Sequence, residues 1–190
     1  MPLPIRTKDG DIMIDFYRYT DKELQTLLKS IVVIADSREQ DNGHITKWFD
    51  EKKIPYITQK IETADYSFYL PAAPELGIAR DLYFSDKISI ERKGDLVELS
   101  GNFTGDRLRI ESEFIRHKGK MILLIEDADY ADIIKHNYRT EYKPESFLAT
   151  LHSFSERYDI PFTFMKDKKC SGQYIYYTFY YQLRNFLLHK

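Results

Sequence analysis

The stretch Ile88-Ser89-Ile90-Glu91-Arg92-Lys93-Gly94-Asp95-Leu96 decides how this chain is read. Its alternation predicts a strand that ends in three charges, and the Gly-Asp pair after it predicts a turn into a helix. Glu91 and Lys93 stand two apart, so a strand points them to one side while Ile88 and Ile90 point to the other, toward a core. A carboxylate and an ammonium held side by side suit metal-assisted cleavage of phosphodiesters. The carboxylate holds a divalent cation, and the lysine positions or activates water or stabilises charge on the phosphate. Taken alone, such a pair is more often a solvated salt bridge of small worth.

Two other segments make the pattern specific. Ile31-Val32-Val33-Ile34-Ala35-Asp36-Ser37-Arg38-Glu39 is an apolar strand ending in three charges. Ile61-Glu62-Thr63-Ala64-Asp65-Tyr66-Ser67-Phe68 brings an acidic residue into a second short strand. A divalent-metal site draws carboxylates from separate elements. Asp36, Asp65 and Glu91 each lie at a predicted strand end, where sites gather in open α/β sheets.

With these segments the chain resembles the XPF-type nuclease domain of excision-repair and fork-cutting endonucleases, within the PD-(D/E)xK restriction-endonuclease-like superfamily. The resemblance runs from about Ile31 to about Asp127. It rests on Asp36-Ser37-Arg38-Glu39 (family pattern Asp-x-Arg-Glu), Ala64-Asp65-Tyr66 (Gly-Asp-Tyr), Glu91-Arg92-Lys93, and Asp106-Arg107-Leu108 (Gly-Arg-Leu). It implies an α/β fold, a restriction-endonuclease-like mixed central sheet flanked by helices. It also implies Mg²⁺- or Mn²⁺-dependent cutting of DNA at branches, flaps or forks in repair or recombination, by a homodimer. The matching catalytic residues are Asp36, Asp65, Glu91 and Lys93, with Arg92 beside them. Asp36, Asp65 and Glu91 are the implied metal ligands.

The chain departs from the family pattern at several points. Ala64 stands where the family has glycine, and Asp95 follows Lys93 by two residues where an Asp is usual at four. Glu111 replaces a common glutamine, and the interval from Asp65 to Glu91 contains Pro71, Pro74 and Gly77, which reads as a lengthened hairpin loop. No segment resembles the tandem helix-hairpin-helix DNA-binding module.

Composition sets the outer bounds. At 190 residues, the chain is expected to hold one globular nuclease domain over 31–190, preceded by an N-terminal extension over 1–30. Its 43% hydrophobic content supports a normal core. One cysteine, Cys170, cannot form an intramolecular disulfide, which fits a reducing compartment. No secretory signal or membrane span is read, so the expected location is intracellular, the cytoplasm of a bacterium or phage-infected host. A net charge of −2 does not favour a static DNA binder, but an enzyme that releases its product need not be basic.

The expected elements run as follows. Asp11-Ile12-Met13-Ile14-Asp15-Phe16 reads as a short added strand, and Thr20 caps a helix through Leu24, Leu27 and Leu28. Strand Ile31–Asp36 precedes a helix over 43–53, where Ile45, Trp48 and Phe49 recur at helical spacing. Strands Pro55–Ile61, Tyr66–Leu70 and Leu82–Arg92 follow, then a short helix over 95–99. Thr104 is read as the cap of a helix ending near Gly119. Strand Met121–Glu126, a helix over 145–158 and strand Pro161–Met165 complete the alternation. The end, 173–189, reads equally as strand or helix.

Several further residues invite a role. The helix after Thr104 carries Arg107, Arg109, Arg116 and Lys118. Arg107 and Arg109 are expected to contact DNA, with an Arg107–Glu111 pair on a solvated face as the plainer reading. Arg38 and Arg92 would pair with the site's carboxylates or contact the scissile phosphate. Glu126-Asp127 could approach the metal or cap a helix. Glu113 could be a further metal ligand, with a surface position as the plainer reading. Tyr174, Tyr176, Tyr177, Tyr180 and Tyr181 follow Lys166, Lys168 and Lys169. They could pack a terminal element, clamp single strands or form a self-association surface. The five histidines lack zinc-ligand spacing, Ser153, Ser155 and Cys170 have no partnered base, and no glycine-rich phosphate loop is present, so no small-molecule cofactor is expected. The rival reading is a non-catalytic DNA-binding or scaffolding domain of the same fold.

Overall fold

The structure is a computed structural model that describes residues 5–6, 12–13 and 19–188. Residues Ile5–Arg6 (β1) and Ile12–Met13 (β2) pair antiparallel. The remainder of the strand read over 11–16 lies outside the described residues. Helix α1, Asp21–Lys29, starts at a reciprocal cap: the Glu23 amide donates to the Thr20 hydroxyl, and the Thr20 amide donates to Glu23 Oε2 at 2.8 Å.

The main sheet contains β3 (Val32–Ala35), β4 (Tyr56–Thr58), β5 (Tyr66–Leu70), β6 (Leu82–Tyr83), β7 (Ile88–Lys93), β8 (Lys120–Glu126) and β9 (Phe162–Met165). Its order is β4-β3-β5-β7-β8-β9, with β6 paired to β5. Strands β3 and β4 run parallel, as do β7, β8 and β9, while β5 is antiparallel to β3, β6 and β7. This mixed sheet matches the architecture the resemblance implies.

Two apolar layers sandwich it, and strand alternation sorts side chains between them. On one face, Val33, Phe68, Ile88, Ile90, Ile122 and Leu124 pack with α1, α2 (Gly43–Lys52) and α7 (Ser171–Leu188). On the other, Met121, Leu123 and Ile125 pack with α3 (Leu96–Thr104), α4 (Arg107–Arg116), α5 (Tyr130–Ile134) and α6 (Pro144–Tyr158). Helix α1 buries Leu24, Leu27 and Leu28 in the same core as β3.

Four elements differ from expectation. The strand over 82–92 is broken: Phe84 turns in to stack on Phe68 at 4.3 Å, and the Lys87 and Ile88 amides both donate to its carbonyl. Helix α3 runs a full turn past Leu99, because Phe103 packs edge-on against Phe147 and Phe154. Thr104 therefore ends α3, its hydroxyl donating back to the Ser100 carbonyl at 2.9 Å, and Asp106 precedes α4. The ambiguous end is one helix, α7, which buries Ile175, Phe179 and Leu183 at helical spacing. Helix α5 has no counterpart in the sequence reading.

Candidate active site

The three acidic segments are laced together through their backbones. The Asp36 amide donates to the Asp65 carbonyl at 2.7 Å, and the Asp65 amide donates to the Ile90 carbonyl at 3.1 Å. The Arg92 amide donates to Asp65 Oδ2 at 2.7 Å. Ala64 makes this possible with φ +72, a left-handed kink that turns Asp65 into the sheet. Such backbone favours glycine, which accounts for the family residue at this position.

Glu91 and Lys93 project from β7 to the α3/α4 face, alternating with Ile88 and Ile90 on the other. Both are buried, and Lys93 Nζ donates to Glu91 Oε1 at 2.8 Å. Glu98 of α3 completes the ammonium's surroundings at 3.4 Å. Its position is set locally: Asp95 caps α3 by accepting from the Glu98 amide, and Glu98 Oε2 accepts from the Gly94 amide at 2.8 Å. Burial alone would lower the Lys93 pKa. Glu91 and Glu98 outweigh it and raise it, so the ammonium keeps its proton at neutral pH.

Asp65 shows the opposite tension. Burial and the neighbouring Glu91 push its carboxyl well above the usual range, against the pull of Lys93 and the Arg92 amide. A buried carboxyl whose charging is opposed by a neighbouring acidic side chain is a donor that a divalent cation relieves, so Asp65 beside Glu91 fits a hard metal ion. Asp36 is placed otherwise. Its Oδ1 accepts from the Arg38 amide and Nε, and its Oδ2 accepts from Arg38 Nη2 and, at 2.6 Å, from the Ile61 amide. Burial would raise its pKa, but these bonds hold it below the usual carboxylate range. Both oxygens are thus engaged in bracing β3 against Ile61. Among the described residues, no group of three or more His, Cys, Asp or Glu side chains is arranged to hold a metal ion.

Arg92 is not beside Glu91 and Lys93 but on the opposite face of the sheet. Its guanidinium donates from Nη1 to Glu126 Oε2 and from Nη2 to Glu39 Oε1, each at 2.7 Å. His44 Nε2 lies 2.9 Å from Glu126 Oε1. Glu126, 0% exposed, therefore joins Arg92 on the α2/α7 side rather than the Glu91–Lys93 pair. Arg38 is exposed and spans Asp36 and the Ile61 carbonyl. Arg107 pairs with Glu111 at 3.4 Å and lies over the Phe154 ring at 5.1 Å, while Arg109 pairs with Asp106 and Glu113. Both helix arginines remain about half exposed.

The sequence reading overlooked Glu98, His44 and His117. Asp95 as a helix cap places Glu98 in the first turn, a signal that was available. Nothing local reveals His44, which reaches Glu126 across 82 positions. His117 Nδ1 lies 2.7 Å from the Thr63 hydroxyl, two residues before Asp65. Burial holds its pKa below the usual imidazole value, despite the Lys120 backbone and Glu91.

A family model described as the ERCC4 domain matches residues 35–178. Among solved structures, XPF from Aeropyrum pernix is similar at 18% identity and a TM-score of 0.58, covering 80% of this chain. The same protein in complex with DNA is similar at 17% identity and a TM-score of 0.58. The chain spans 65% of the length of each of these structures. No curated protein matches. At this identity the likeness to the solved structures shows a shared fold alone, while the span of the ERCC4 family model takes in Asp36, Asp65, Glu91 and Lys93.

Proposed function

Because the chain belongs to the ERCC4 domain family, we propose that it is a divalent-metal-dependent DNA endonuclease that hydrolyses phosphodiester bonds. One observation carries the reading: buried Lys93 Nζ donates to Glu91 Oε1 at 2.8 Å, while the backbone amide between them, that of Arg92, donates to Asp65 Oδ2 at 2.7 Å.

Asp65 and Glu91 would hold Mg²⁺ or Mn²⁺, with Asp36 bracing the site from behind its own hydrogen bonds. A bound cation lowers the pKa of water and neutralises charge on the scissile phosphate. Lys93, held as an ammonium, orients the attacking water and stabilises the developing negative charge, and it is not the base that removes the proton. Arg92 is a positioning residue, not a phosphate contact, because both ends of its fork are engaged. Arg38, Arg107 and Arg109 are exposed cations suited to the DNA backbone.

DNA is the expected partner, in keeping with the DNA complex of the Aeropyrum pernix protein. A preference for branched, flapped or forked DNA and a homodimeric state belong to the same proposal. So does the division into one nuclease domain over 31–190 and an extension over 1–30, with α1 docked on the nuclease core. Among the described residues no helix is long and apolar enough to cross a membrane. The deciding experiment is plasmid nicking and forked-duplex cleavage with Mg²⁺, Mn²⁺ or EDTA. Cleavage that needs metal and favours the fork supports the proposal. Equal rates on fork and linear duplex remove the branch preference, and no cleavage in either metal leaves the scaffolding alternative.

A further inference from the structure

A chain of polar side chains, buried at Arg92 and Glu126 and partly buried at its ends, runs along the sheet face that carries no part of the Glu91–Lys93 pair. It begins at Glu39 in the segment after β3, passes through Arg92 on β7 and Glu126 at the end of β8, and ends at His44 in the first turn of α2. Arg92 Nε is buried without a partner of its own, and the Tyr66 hydroxyl, which Asn42 also approaches, is buried nearby. The segment after β3 and strand β8 are thus bonded to one guanidinium on β7, and α2 is joined to it through Glu126. Charges are not placed there to stabilise the fold, since an apolar side chain of similar volume serves that end as well or better.

The position of Arg92 supplies a reason. Its backbone amide donates to Asp65 Oδ2, and its two chain neighbours are Glu91 and Lys93. A strand residue clamped on one face fixes the directions of the residues flanking it on the other. We infer that Glu126 and His44 are positioning residues that act through Arg92 on the strand end presenting Glu91 and Lys93 to the substrate. Glu126 holds the guanidinium from β8, and His44 holds Glu126 from α2, so the clamp ties this strand end to its neighbour β8 and to α2. This rests on the nuclease reading for its catalytic consequence, but its mechanical part stands apart from it.

The test has two readouts in the full chain. Amide hydrogen exchange at Arg92 reports whether the bond to Asp65 is held. Single-turnover cleavage of a forked duplex in Mg²⁺, with binding measured in Ca²⁺, reports the catalytic effect. In Glu126→Gln, Arg92 exchange should quicken about tenfold or more while α6 amides keep their protection. Cleavage should fall by roughly 10–100-fold at unchanged DNA affinity, as expected for a displacement on the order of 1 Å. His44→Phe should produce a smaller loss of the same kind, and His44→Gln, which keeps a donor toward Glu126, should restore most of it. Unchanged Arg92 exchange in Glu126→Gln and in His44→Phe overturns the inference. Quickened Arg92 exchange in these variants, with a wild-type protein that itself cuts nothing, retains the clamp and overturns the nuclease reading instead.

Discussion

Lys93 illustrates how a neighbour decides a side chain's chemistry. In a buried site lysine usually loses its proton more readily, yet Glu91 and Glu98 reverse the sign here. Two consequences follow for measurement. Lys93→Ala should lower turnover by roughly 10²-fold while leaving DNA affinity in Ca²⁺ nearly unchanged. The pH–rate profile should show no rise with a midpoint near 9–11, the range about the ordinary lysine value, because the ammonium does not act by deprotonating. Asp65 gives the complementary case. Its proton is held more tightly in the folded chain than in the unfolded one, so stability falls as pH rises above the ordinary aspartate value of about 4. Asp65→Asn should therefore raise the melting temperature in EDTA at pH 7 by a few degrees, about 2–4 °C per kcal/mol at this size. The same change should abolish both cleavage and the stabilisation that Mg²⁺ confers on wild type. A melting temperature that drops in EDTA would show that the carboxylate repulsion is absent.

At the scale of elements, local signals were legible wherever one interaction dominated. Thr20 with Glu23, the alternation of β7 and the apolar run of β8 each predict the element found. The failures share a cause. Helix α3 contains Ser100, Gly101 and Asn102, which read as a stop, but Phe103 is held by rings on α6, far away in sequence. The tyrosines of α7 recur at spacings that suit strand or helix, and only burial of Ile175, Phe179 and Leu183 decides between them. The site was legible as far as its acidic strand ends. Whether Asp36 faces a metal or Arg38, and which face takes Arg92, depends on Ile61, Glu39 and Glu126, which no spacing rule brings together. Two elements carry their own predictions. Gly119, at φ +82, joins α4 to β8 so closely that a Cβ would lie 2.5 Å from the Asp86 carbonyl oxygen. Gly119→Ala should cost about 2 kcal/mol or more in urea unfolding, through left-handed strain and the clash with a backbone that cannot yield. On α4, Arg107→Ala should weaken DNA binding across sequences and reduce the salt slope by about one, leaving turnover at saturating DNA intact.

The whole molecule presents apolar surface beyond what its own core uses. On α7, Tyr177 and Tyr181 are 44% and 56% exposed, and on α4, Leu108 is 81% exposed one heptad before the exposed Ile115. Aromatic and aliphatic groups placed in this way are the material of homodimer interfaces. Light scattering should return about twice the chain mass of 22.6 kDa at micromolar concentration. The paired change Tyr177→Glu with Tyr181→Glu should return the monomer. A dimer that survives this change and is lost in Leu108→Glu would place the contact on α4, and a monomer in the wild type would remove it.

The sheet also divides what such a protein can lose from what it must keep. Glu91 and Lys93 stand on one side, while the Glu39–Arg92–Glu126–His44 chain is embedded in the layer that α1, α2 and α7 build on the other. Drift that erases the lysine subtracts a reactive group and leaves the opposite layer whole. Drift that erases Arg92 strands the buried Glu126 and the partly buried Glu39 and threatens the fold itself. On the nuclease reading proposed above, a lineage that stopped cutting would keep its arginine long after its lysine. In descendants of this chain, the residue between the two reactive ones is therefore a poor witness to surviving activity.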